Sequence, residues 1–97
     1  MPTFIVLGKF TLEGIKNIKE SPTRLEQANQ VAKSVGGEIK ELYYTMGQYD
    51  FVAITEGPSI EAIMQALFTI GSIGAVKTET LAAIPSKEAA ELLKKLP

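Results

Sequence analysis

The chain has 97 residues, 45% hydrophobic and 22% charged, a balance that fits a single soluble domain with one core and leaves no stretch polar enough to stay unfolded. Its formal charge is −1, and its ten lysines and arginines are scattered, which argues against nucleic acid as a partner because phosphate binding needs a basic stripe. Cysteine and histidine are both absent, which removes disulfides, thiolate chemistry, imidazole metal sites and histidine-based triads together.

Residues 62–76 form the longest run without charge; they fall short of the roughly 20 apolar residues of a membrane span and include Gly71, Ser72 and Gly74. Met1-Pro2-Thr3 offers neither a basic n-region nor a small-residue cleavage site, so the expected location is cytoplasmic.

In chain order, Phe4 to Leu7 is continuously apolar, with Lys9 and Phe10 extending it, and predicts a strand covered on both faces. Thr11 can cap a short helical turn through Leu12, Ile15 and Ile18. Ser21-Pro22 then reads as an N-cap followed by proline at the first helical position, with Leu25, Ala28, Val31, Ala32 and Val35 at helical spacing. Gly36-Gly37 can end that helix, and Ile39 to Met46 reads as the second strand. Gly47-Gln48-Tyr49-Asp50 closes a hairpin into a third strand, Phe51 to Thr55.

Gly57-Pro58-Ser59 opens a second long helix, whose face is expected at Ile60, Ile63, Met64, Leu67 and Ile70, with Gly71 as its stop. Gly74 to Ile84 is the fourth strand. Ser86 is the expected cap of a terminal helix marked by Ala89, Leu92, Leu93 and Leu96. The order predicts one α+β domain over residues 1–97, a ferredoxin-like βαββαβ sandwich with an extra C-terminal helix. Strands one and three carry apolar groups on both faces, and a second copy of the sheet is the simplest cover for the face away from the helices.

The segment Leu42-Tyr43-Tyr44-Thr45-Met46-Gly47-Gln48-Tyr49-Asp50-Phe51-Val52, with Val76 to Leu81 downstream and Phe4 to Phe10 followed by Gly14 to Ile18 upstream, resembles the GYD domain family of small bacterial and archaeal proteins. The resemblance implies a dimeric α/β-barrel assembly, two sheets packed face to face; the family has no agreed biochemical function. The hairpin also resembles the ligand-sensing domain of the Lrp/AsnC regulators, whose helix-turn-helix has no room in this chain.

Tyr49 and Asp50 are the foremost candidate ligand-binding residues, a phenol and a carboxylate at the start of a strand. The structural alternative is that Asp50 bonds turn amides and Tyr49 packs over the hairpin. Lys9 and Glu79, with Lys77, place charges inside strands, where they could hold an anionic ligand or form a plain cross-strand ion pair. Tyr43, Tyr44 and Met46 read as interface residues. Gly71-Ser72-Ile73-Gly74 follows a helix rather than opening one, so it presents carbonyls and is no phosphate loop. The reading is therefore a homo-oligomeric small-molecule-binding or interaction module needing no cofactor and no metal. The alternative is a cofactor-independent enzyme, monooxygenase- or isomerase-like, working through Tyr49, Asp50, Lys9 or Glu79.

Overall fold

A computed structural model describes residues 1–97. Its elements are β1 (Thr3–Phe10), α1 (Leu12–Lys16), a 3-10 turn (Ile18–Glu20), α2 (Ser21–Ser34), β2 (Glu38–Tyr44), β3 (Phe51–Glu56), α3 (Ile60–Ser72), β4 (Val76–Ala83) and α4 (Ser86–Leu93). The four strands form one antiparallel sheet in the order β2-β3-β1-β4, the ferredoxin-like arrangement expected from the element order. No helix is long and apolar enough to cross a membrane.

The two-residue period of a strand sorts β1 and β3 into two faces. Phe4 and Val6 of β1 and Phe51 and Ala53 of β3 are buried under the helices. The intervening residues, Ile5 and Leu7 of β1 and Val52 and Ile54 of β3, point the other way and remain half-buried. Leu81 of β4, paired with Ile5, lies on that same outer face and is exposed. The sheet thus has one apolar face under its own helices and a second with none.

Helix ends follow local chemistry, with two departures. Thr11 caps α1 as expected, its hydroxyl accepting from the Gly14 amide at 3.2 Å, and Ser59 caps α3 by accepting from Ala62 at 3.1 Å. Gly36 takes φ +86° just beyond α2, where the Gly37 amide bonds the Ala32 carbonyl at 2.8 Å. Ser21, however, lies inside α2, because the 3-10 turn runs straight into the helix and leaves no extended residue to cap it; its hydroxyl pairs with the Tyr44 hydroxyl at 3.0 Å. Ser86 likewise is the first residue of α4, preceded by Pro85, and makes no cap.

On α3 the apolar positions belong to two stripes. Ile63, Ala66, Leu67 and Ile70 face the sheet, while Ile60, Met64 and Phe68 are exposed on the far side. β2 ends at Tyr44, two residues short of the expected Met46, and its ladder slips between Ile39 and Glu41 in a bulge. α4 projects from the body: only Ala89 is half-buried, and Leu92, Leu93 and Leu96 are exposed. The chain is accordingly elongated, 52 × 30 × 17 Å.

Candidate functional site

The hairpin between β2 and β3 is tied to the end of β1 by Asp50. Its amide donates to the Gly8 carbonyl at 2.8 Å, its carboxylate accepts from the Phe10 amide at 2.8 Å, and its carbonyl accepts from Thr45 at 2.9 Å. The Thr45 hydroxyl closes the turn on the Tyr49 carbonyl at 2.6 Å. Asp50 is therefore a backbone-bonding residue, but the amide it satisfies lies in β1 and not in the turn. Asp50→Ala leaves the partly buried Phe10 amide without its partner, and a loss of about 1–2 kcal/mol is expected in chemical denaturation. Asp50→Asn, which keeps an oxygen at the same place, should lose clearly less; equal losses would show that the carboxylate oxygen is not what holds β1.

Tyr49 leaves the hairpin altogether. Its hydroxyl donates to Glu79 of β4 at 2.5 Å, and its ring lies 5.4 Å from the Lys9 ammonium, within cation–π range. Three of the four singled-out residues, Tyr49, Lys9 and Glu79, thus meet on one patch at the edge of the outer face. The fourth, Asp50, has its carboxylate committed to the backbone. The cross-strand ion pair is not formed: Lys9 sits directly opposite Lys77, and Glu79 engages a tyrosine. The ion pairs of the chain lie elsewhere, Arg24 with Glu13 and Glu20, Lys40 with Glu38, and Lys94 with Glu91.

A second tyrosine–carboxylate pair occupies the opposite edge of the same face, where the Tyr43 hydroxyl donates to Glu41 of β2. The outer face therefore has an apolar centre, Ile5, Leu7, Val52, Ile54 and Leu81, between two aromatic margins. Of the other two interface candidates, Tyr44 is drawn toward α2 through Ser21, and Met46 stands fully exposed in the hairpin.

The hydrogen bond to Glu79, followed by desolvation, raises the Tyr49 pKa above the ordinary phenol value; Glu41 does the same to Tyr43. Tyr49 therefore serves as a hydrogen-bond donor and not as a base near neutrality. Because the folded value is raised, the stabilisation from each pair is complete below the unfolded phenol value of about 10 and is lost as pH rises through the folded one. Alkaline titration followed by phenolate absorbance should show a late component that Tyr49→Phe and Tyr43→Phe each diminish. Variants that lose amplitude only from the ordinary phenol component and leave any late one intact would mean that these bonds do not form in solution. No three carboxylates converge anywhere in the chain as a metal-ligand set would.

A different opening was not foreseen from the sequence. Between α2, α3 and the sheet lies a cavity of about 80 Å³, lined on 15 of 18 residues by apolar side chains. Ala28 and Ala32 of α2, Ala53 of β3, Ala66 of α3 and Ala75 contribute to its walls, so small side chains face one another where a packed core would place larger ones. In the sequence these alanines look like any other core positions at helical or strand spacing.

The profile of the GYD domain matches residues 4–93. The chain is 37% identical over 86 residues, 88% of its length and 90% of the relative's, to a Thermus thermophilus protein named as a glutamine synthetase and cystathionine beta-lyase binding protein. It is similar in fold to a feast or famine regulatory protein from M. tuberculosis complexed with L-methionine, with a TM-score of 0.67 at 16% identity, covering 88% of this chain and 51% of that one. A hypothetical protein from Pyrococcus horikoshii gives a TM-score of 0.56 at 20% identity, covering 88% of this chain and 92% of that one.

Proposed function

The chain belongs to the GYD domain family, and from that premise we propose that it is a non-catalytic interaction module that pairs with its own kind through the outer sheet face and docks on metabolic enzymes. The observation that carries this reading is the outer face itself. A sheet with Ile5, Leu7, Val52, Ile54 and Leu81 on the side away from its own helices has the apolar centre and aromatic margin of a protein interface. The Thermus relative, named for binding glutamine synthetase and cystathionine beta-lyase, supports enzymes as partners.

Tyr49, Lys9 and Glu79, with Asp50 fixing the hairpin beneath them, mark the rim where a small polar ligand would reach that interface. The enzymatic alternative draws less support, because Asp50 is occupied by a backbone amide and Tyr49 keeps its proton. The test is to mix the purified chain with glutamine synthetase and with cystathionine beta-lyase from its own source and to follow complex formation by sedimentation velocity. A stable complex with at least one is expected. A chain that sediments as a monomer at high micromolar concentration and leaves both enzymes unshifted would overturn the reading.

A further inference from the structure

We propose that the cavity between α2, α3 and the sheet binds a small, neutral, chiefly apolar molecule about the size of one aromatic ring, oriented by a hydrogen bond to the Thr55 hydroxyl. This goes beyond the interaction role, which uses the opposite face of the sheet. At about 80 Å³ the cavity is several times the roughly 10–15 Å³ that one water requires. Its walls give water almost nothing to bond, and since an apolar cavity of roughly 150 Å³ stays dry and takes up benzene, one small ring is the upper bound for a guest here.

Two polar features narrow the guest. Thr55 of β3 is 5% exposed and is the one buried polar residue in the cavity wall. In an otherwise apolar wall its hydroxyl is the group to which a guest carrying one hydroxyl or carbonyl would bond. Arg24 also lines the cavity, but its guanidinium is held by Glu13 at 2.8 and 2.9 Å and by Glu20 at 3.1 Å. Those carboxylates neutralise the guanidinium, which leaves no free positive charge at that wall to draw an anionic guest. Ile73 and Thr78, both exposed, line the cavity as well, so it reaches the surface where α3 leads into β4.

The experiment is a methyl and amide NMR titration of the full chain with benzene, phenol and benzoate, repeated on Thr55→Val and Ala66→Leu. Benzene and phenol should shift the methyls of Ala28, Ala53 and Ala66 saturably, and benzoate at the same concentration should not. Thr55→Val should weaken phenol about tenfold, the scale of one buried hydrogen bond, and leave benzene unchanged. Ala66→Leu, which fills the space, should abolish both. Should that variant not fold, nuclear Overhauser contacts from benzene to Ala28 and Ala66 in the wild type decide the matter. The proposal is overturned by absent saturation, by shifts centred on Tyr49 and Glu79, by an equal response to benzoate, or by undiminished phenol affinity in Thr55→Val.

Discussion

Gly8→Ala is expected to remove about 3 kcal/mol of stability, although it adds a single methyl group. A β-carbon at position 8 would stand 2.0 Å from Cζ of Phe51 and 2.3 and 2.4 Å from the two ring carbons beside it. It would lie well inside the van der Waals envelope of the ring. Phe51 is 4% exposed with its ring centroid 5.7 Å from that of Phe10, so the ring can withdraw only toward the cavity it lines. Gly8 sits beside Phe51 in the register of β1 and β3, so relief by sliding would break the ladder on which the hairpin and Asp50 depend. Against a total of roughly 5–15 kcal/mol for a domain of this kind the loss is large. Urea unfolding of Gly8→Ala, Phe51→Leu and the double variant checks the cause. The double variant should be less damaged than the sum of the singles by more than about 1 kcal/mol, as expected of residues competing for one space. A Gly8→Ala midpoint close to wild type would show that the ring has room to move.

If copies pair through the outer face as proposed, Ile54→Glu is expected to leave monomers while sparing the fold. Ile54 lies opposite Ile5 near the middle of the outer face and is half-buried in the isolated chain, so the new carboxylate can reach water in a monomer. In a face-to-face pair the two-fold axis would bring two such carboxylates into one dry interface. An unpaired buried charge costs about 3–5 kcal/mol, so self-association should weaken by roughly three orders of magnitude or more. Sedimentation equilibrium with Phe68→Glu as comparison makes the test specific, because Phe68 is exposed on the far side of α3 and its change should leave pairing intact. If Ile54→Glu and wild type sediment alike, the outer face is not where copies meet.

What the sequence makes legible here depends on distance along the chain. The apolar runs in β1 and β3 reveal two apolar faces because a strand alternates with a fixed period, whatever surrounds it. The single face expected on α3 merged Ile60 and Met64 with Ile63 and Leu67, since two stripes a few residues apart share helical spacing and only the position of the sheet separates them. Ser21 and Ser86 failed as caps for a local reason of another kind: capping needs an extended residue, and the backbone before each serine decides where the helix starts. The partnership of Tyr49 with Glu79 spans 30 residues and exists because β1 lies between β3 and β4. Sequence chemistry singled out both residues without pairing them. The cavity was hidden altogether, because an empty space belongs to facing elements and no single alanine announces it.

The bulge in β2 bears on what this chain avoids becoming. A four-stranded open sheet has two edges, and a bare edge can recruit further strands without limit, toward fibrils. At one edge the slip between Ile39 and Glu41 breaks the hydrogen-bonding rhythm that an added strand would copy, and Glu38, Lys40 and Glu41 surround it with charge. At the other, β4 carries Lys77 and Glu79. Growth along the sheet is thereby blocked at its ends, and repairing the β2 ladder by deleting Lys40 should make the chain prone to thioflavin-positive aggregation under conditions where the native sequence stays clear.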